Sequence, residues 1–207
     1  MAKLRTRSAY EACLEVCGRL EHPGLGIDMP IWVDHTQEAT TVDQARIEDA
    51  LEGMALAGGR ILHVGVGNSQ FAKRFGPRVR LIDGLTVSES EKALADSLHL
   101  ANYSVFLLSK YGRGFLQRIE NRYDFVIDNN LASFACCKYH FHRMLDNYLW
   151  CLEPGGSILT EQAGMDWTVG NDPRWKLRYG DLEGLQEKFP VEAWKATDTV
   201  YGLRRLR

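Results

Sequence analysis

The chain has 207 residues, long enough for one domain with a single core and short for two. Hydrophobic residues at 45% and charged residues at 25% exclude a disordered chain and a membrane protein. The 25 lysines and arginines against 27 acidic residues leave a net charge of -2, which offers no general field for nucleic acid or an anionic bilayer. Five cysteines without a C-x-x-C pair form neither a disulfide framework nor a zinc finger, and the basic N-terminus runs into polar residues rather than an apolar leader. The expected setting is cytoplasmic.

In chain order, Tyr10, Cys13, Leu14, Cys17 and Leu20 recur at helical spacing, and His22-Pro23-Gly24 ends that helix. A loop with Pro30, Trp32, Asp34 and His35 follows. Residues 1–40 therefore read as a helical segment ahead of the main domain, 41–207. The next helix opens at Thr41, where Gln44 fits a capping box, and buries Ile47, Leu51, Met54 and Ala55.

From Arg60 onward, short apolar runs alternate with amphipathic helices, the pattern of a parallel sheet covered on both faces. Strands are predicted near 60–64, 78–83, 103–108, 124–128 and 156–161, with helices near 69–75, 88–100, 112–120 and 134–152. The helix near 88–100 opens with a second capping box, Ser88 with Glu91. A helix near 181–188 and two strands joined around Thr197 to Thr199 close the chain as an antiparallel pair. The fold class is α/β, a doubly wound, mostly parallel, seven-stranded sheet.

The segment Ile61-Leu62-His63-Val64-Gly65-Val66-Gly67-Asn68-Ser69 ends a buried strand in closely spaced glycines and turns into a helix, so a ligand can approach bare backbone at the helix start. Gln70 stands where the dinucleotide fingerprint needs a third glycine, which disfavours a nicotinamide or flavin site. Downstream come Asp83-Gly84-Leu85-Thr86-Val87-Ser88, then Tyr123-Asp124-Phe125-Val126-Ile127-Asp128, then Leu149-Trp150-Cys151-Leu152-Glu153-Pro154-Gly155-Gly156. In this order and spacing the chain resembles the class I S-adenosylmethionine-dependent methyltransferases over roughly residues 40–207. The resemblance implies a Rossmann-like methyltransferase fold, S-adenosyl-L-methionine as cofactor, and an N-terminal helical lid formed by residues 1–40.

It also implies a set of cofactor contacts: His63, Gly65, Val66, Gly67 and Asn68 in the turn, Asp83, Gly84 and Leu85 on the second strand, Tyr111 after the third, and Asp128 after the fourth. Two positions depart from the family. His63 stands where an acid usually helps to hold the methionine ammonium. For the ribose, Asp83 has the right chemistry, whereas an ungapped count from Gly65 lands on Thr86.

Open sheets bind ligands beyond the carboxyl ends of their strands, which places Asp128, Asn129 and Asn130 at the chemical edge. Asn129-Asn130-Leu131 lacks the prolines and aromatic of nucleic-acid amino-methylating enzymes. His140 and His142, two apart on a helix, diverge by about 200° and cannot share a metal ion, though a neutral imidazole suits general-base work. Trp32 and His35 in the N-terminal loop, and Met165-Asp166-Trp167 after the fifth strand, border the ligand end.

The leading expectation is a methyltransferase acting on a small-molecule oxygen or nitrogen nucleophile, with no nucleic-acid or membrane partner and a homodimer left open. An alternative keeps the cofactor and cyclises it to azetidine-2-carboxylate with release of methylthioadenosine, Asn129, Asn130 and Tyr139 orienting a neutral amine. A second alternative is a non-catalytic cofactor-binding module.

Overall fold

The computed structural model describes residues 35–207 apart from 55, 113, 121, 136, 169 and 170. The helix expected over residues 10–20, Trp32 and Ala55 lie outside the described residues. Seven strands form one sheet in the order β3-β2-β1-β4-β5-β7-β6. They are β1 (Arg60–Val64), β2 (Leu81–Thr86), β3 (Tyr103–Leu107), β4 (Tyr123–Ile127), β5 (Leu152–Glu161), β6 (Val191–Lys195) and β7 (Val200–Arg205). The first five pair in parallel, and β7 runs antiparallel to both β5 and β6.

The apolar runs of the central strands are buried on both sides because helices cover both faces. On one face, α1 (Val42–Glu52) and α2 (Gln70–Phe75) pack Ile47, Leu51, Phe71 and Phe75 against Ile61, Ile82, Ile127 and Leu159. Beside them α3 (Glu89–Ser97) sets Ala95 against Val66 and Val105. On the other, α4 (Phe115–Arg118), α5 (Lys138–Cys151) and α6 (Tyr179–Leu185) enclose Leu62, Leu85, Val126 and Ile158. Truncating a fully buried Ile or Leu of these layers to alanine costs about 2–5 kcal/mol.

Three expectations shift. The second strand begins at Leu81 and runs to Thr86, because Gly76–Arg78 forms a 3-10 turn and the Asn102 amide ties down the Gly76 and Val79 carbonyls. Helix α5 starts at Lys138 rather than near 134, after turns that occupy 129–134, with the Cys137 sulfur accepting the His140 N–H. The capping box at α1 does not form: the Asp43 carboxylate takes the Gln44 N–H at 3.1 Å instead. The Pro154-Gly155-Gly156 turn opens β5 through a register shift, with Gly155 at φ 84 and Gly156 so close to the Tyr123 and Asp124 carbonyls that a Cβ would lie 3.0 Å from each. Strand order reverses at β1, between β2 and β4, so a crevice opens beyond the carboxyl ends of these strands.

Candidate functional site

A cavity of about 760 Å³ occupies that crevice. Its floor is the turn after β1. Gly65 (φ 80) and Gly67 (φ 48) adopt left-handed conformations, and a Cβ at Gly65 would meet nothing within 4 Å, so backbone faces open space there. The turn is held by Gly65 N–H to the Leu85 carbonyl (2.8 Å) and Ser69 N–H to the Val66 carbonyl (2.9 Å). Asn68 accepts the Gln70 N–H and donates to the Glu38 carbonyl at 2.7 Å, tying the segment that follows His35 to the turn. Of the residues singled out from sequence, His63, Gly65, Val66, Gly67, Asn68, Leu85, Tyr111, Asp128, Asn129 and Asn130 line the cavity.

Asp83 and Gly84 do not line it. Because β2 continues to Thr86, Asp83 sits in mid-strand, buried, and accepts the Tyr123 hydroxyl at 2.6 Å. A Cβ on Gly84 would stand 2.5 Å from Val66 Cγ1, so this glycine makes room for the turn rather than for a ligand. Thr86, the ungapped alternative, does reach the cavity, and its hydroxyl donates to Glu91 Oε2 at 2.6 Å. Glu91 is itself buried on α3, its N–H held by Ser88 Oγ at 3.3 Å. The carboxylate at the end of β2 therefore comes from the next helix.

Beyond β4, Asp128 accepts from Lys110 Nζ at 3.0 and 2.8 Å and from the Tyr148 hydroxyl at 2.8 Å. Lys110 Nζ also donates to the carbonyls of Asn130 (2.7 Å) and Leu131 (3.2 Å), fixing the loop's path. Burial pushes the Lys110 ammonium below its ordinary range while the Asp128 carboxylate pulls it back up. Asn129 donates to Asp43 Oδ2 at 2.7 Å, and its Oδ1 finds no hydrogen-bond partner among the described residues.

The other catalytic candidates lie elsewhere. His140 is buried with Nδ1 3.5 Å from Cys137 Sγ, and His142 meets the Phe189 ring edge-on at 5.5 Å between centroids. Tyr139 stands exposed in the first turn of α5, under the Arg143 guanidinium. None of the three reaches the cavity, because α5 buries its Phe141, Met144, Leu145 and Tyr148 stripe against the sheet and starts a full turn later than expected.

His63 is buried, its ring tilted on Phe71 at 4.3 Å, and neither nitrogen has a hydrogen-bond partner among the described residues. Burial pushes its pKa down to about 3, so the imidazole is neutral at ordinary pH. Carboxylates reach the cavity instead from α1, at Asp43 and Glu48. Burial opposes ionisation of Asp43, but hydrogen bonds from Thr41, Asn129 and the Gln44 N–H outweigh it and keep the carboxyl below the usual range. Burial raises the Glu48 pKa, partly offset by Arg74 at 3.1 Å and Gln44 at 3.3 Å. Phe134 and Trp167, 5.4 Å apart between centroids, flank the mouth, where Trp167 is half exposed.

Sequence reasoning thus missed Lys110, Glu91, Asp43, Glu48 and Phe134 as cavity residues. For Glu91 the signal was present as Ser88-x-x-Glu91, read only as a cap; for the others the signal is tertiary.

No protein-family model matches the chain, and no curated protein matches it. Solved structures do. The N-methyltransferase NodS from Bradyrhizobium japonicum WM9, in complex with S-adenosyl-L-homocysteine, aligns with a TM-score of 0.57 at 14% identity over 78% of this chain and 84% of that one. An rRNA methylase from Streptococcus thermophilus aligns at 0.50 and 13% identity over 82% and 99%. The [4+2]-cyclase SpnF aligns at 0.55 and 22% identity over 73% and 59%. The chain has the fold of class I methyltransferases, a fold that in these neighbours hosts different reactions.

Proposed function

We propose that the protein is an S-adenosylmethionine-dependent methyltransferase acting on a small-molecule acceptor. The observation that carries this reading is the Gly65–Gly67 turn, opening bare backbone on a large cavity that has a buried carboxylate, Glu91, at the end of β2. Complexes of similar structures with S-adenosyl-L-homocysteine support the choice of cofactor.

The residues present fit that cofactor. Glu91, oriented by Thr86, accepts the ribose hydroxyls; Leu85 and Tyr111 offer apolar surface to the adenine; the Gly65-Val66-Gly67 backbone follows the amino-acid arm. When bound, the cofactor supplies an electrophilic methyl carbon on a sulfonium. Asn129 and Asn130 border the acceptor side, with Asn129 fixed by Asp43 and the loop fixed by Lys110. Phe134 and Trp167 narrow the mouth and exclude water, and residues 35–40 are the described part of the proposed lid, residues 1–40.

A small acceptor is favoured over nucleic acid because the cavity walls carry Glu38, Asp43, Glu48, Glu91 and Asp128 against Lys110 as the lining lysine, a field that repels phosphates. Mass spectrometry after incubation with S-adenosylmethionine and a metabolite extract tests the reading. Protein-dependent S-adenosylhomocysteine, matched by a methylated product, is expected. Methylthioadenosine without S-adenosylhomocysteine would instead identify a cyclising enzyme, and cofactor binding without turnover a non-catalytic module.

A further inference from the structure

One end of the cavity is built from three segments that meet there. The loop after β4 brings Asn129 and Phe134, the short helix Gln162–Asp166 after β5 brings Ala163 and, just past its end, Trp167, and the first turn of α1 brings Asp43. Each segment is tied to the next. Asn129 Nδ2 donates to Asp43 Oδ2 at 2.7 Å, Ser133 Oγ donates to the Gly164 carbonyl at 2.9 Å, and α1 packs along Gln162–Asp166. Phe134 and Trp167, 5.4 Å apart between centroids, complete the wall. Gly164 is what lets the segments approach: a Cβ there would stand 2.3 Å from Asn129 Oδ1 and 2.4 Å from the Asn129 carbonyl oxygen. Thr160 Oγ1 holds that carbonyl at 3.0 Å, whereas Oδ1 of Asn129, a residue 8% exposed, has no hydrogen-bond partner among the described residues.

The chemistry of this end is one-sided. Asp43 is held in its charged form by hydrogen bonds from Thr41, Asn129 and the Gln44 N–H, and no lysine or arginine pairs with it among the described residues. Lys110, the lysine that lines the cavity, already donates to four oxygens, and no arginine lines it among the described residues. A nucleophile that reacts as an oxyanion gains nothing from a carboxylate, an amide oxygen still without a donor and two aromatic faces. An amine gains from all of them, because its N–H groups need acceptors and a cation is stabilised over an aromatic face. The transfer runs in the same sense. The amine, having given a proton to water, forms the C–N bond with its lone pair; the C–S bond breaks, its electron pair stays on sulfur, and the positive charge passes from the sulfonium to the new methylammonium. We propose that the acceptor is a basic amine, methylated on nitrogen and seated between Asp43 and the Phe134–Trp167 pair. The inference rests on the methyltransferase reading above and deepens it by naming the acceptor's class.

Methyl-deuterated S-adenosylmethionine, incubated with the protein and a metabolite extract, tests this: mass spectrometry finds the labelled product and fragmentation finds the labelled atom. The expected product carries the label on an amine nitrogen. A label on any other atom would overturn the inference while leaving the methyltransferase reading in place, and absence of S-adenosylhomocysteine would overturn that reading and the inference with it. Asp43→Asn and Trp167→Ala are then assayed with the unmethylated amine so identified. KM is expected to rise about tenfold or more in Asp43→Asn and about threefold or more in Trp167→Ala, with the calorimetric affinity for S-adenosylhomocysteine unchanged in both. An unchanged KM in either folded variant, or an equal fall in S-adenosylhomocysteine affinity, would overturn the placement of the amine. Should Asp43→Asn melt early through the loss of its tie to Asn129, Trp167→Ala, whose ring is half exposed, carries the test alone.

Discussion

His63 and Lys110 show how single residues behave when a sheet closes over them. The Lys110 ammonium is held by four oxygens and is a structural clamp between the loops after β3 and β4. His63 has no such compensation among the described residues. Its pKa falls from 6.5 to about 3, so over that interval the unfolded chain binds a proton that the folded chain refuses. Stability then drops as pH falls below 6.5, by on the order of 3 kcal/mol at about pH 4. Replacing His63 with phenylalanine keeps a ring against Phe71 and removes the proton. Thermal melts from pH 7 to 4 are expected to show a shallower acid slope for His63→Phe than for the unaltered protein; parallel slopes would contradict the buried neutral imidazole. The departure at His63 was visible in the sequence, as a histidine two places before Gly65, whereas its neutrality depends on Phe71 and on the covering helices. Lys110 was equally plain in sequence, but nothing there indicates that it crosses to Asp128.

Among elements, β2 and α3 decide where the ribose carboxylate stands. A strand ending at Asp83 would present that side chain at the sheet's rim; a strand running to Thr86 buries it against Tyr123 and hands the rim to Thr86 and Glu91. The run Arg78-Val79-Arg80-Leu81 reads as a strand start because its apolar alternation is sound, and only the 3-10 turn at Gly76–Arg78, anchored by Asn102, postpones it. Glu91→Gln is therefore expected to weaken S-adenosylhomocysteine and methylthioadenosine alike, by roughly 1.5–3 kcal/mol for lost hydrogen bonds to a charged group. Asp83→Asn should lower the melting temperature and leave both affinities unchanged. Calorimetry and melting of the two variants check this pair, and the opposite pattern would return the ribose to Asp83.

At the scale of the molecule, the strands and the doubly wound layers were legible because they follow from local signals: apolar runs at 60–64 and 124–128, glycines at 65 and 67, and the Pro154-Gly155-Gly156 turn. The strand order is a property of the folded sheet. The site was half legible from the same local signals. Residues that belong to strand ends, such as Gly65, Asp128 and Asn129, fall where chain order puts them, while Asp43, Glu48 and Phe134 reach the cavity only because α1 and the turns after β4 dock over it. The candidates on α5 failed in the opposite way: His140 and His142 have suitable chemistry, but the docking of that helix turns them toward Cys137 and Phe189. Docking, unlike periodicity, depends on contacts between residues far apart in sequence.

The claim on which the account depends is that the glycine turn of this cavity holds the cofactor. Gly67 sits at φ 48, where a side chain is strained, and a Cβ there would come 3.6 Å from His35 Cβ at the cavity wall. Titration of S-adenosylhomocysteine into the unaltered protein and into Gly67→Val, with folding checked by circular dichroism, measures the claim directly. The account predicts one-to-one binding to the unaltered protein and a loss of about tenfold or more in a folded Gly67→Val. Equal affinity in the two proteins would contradict it.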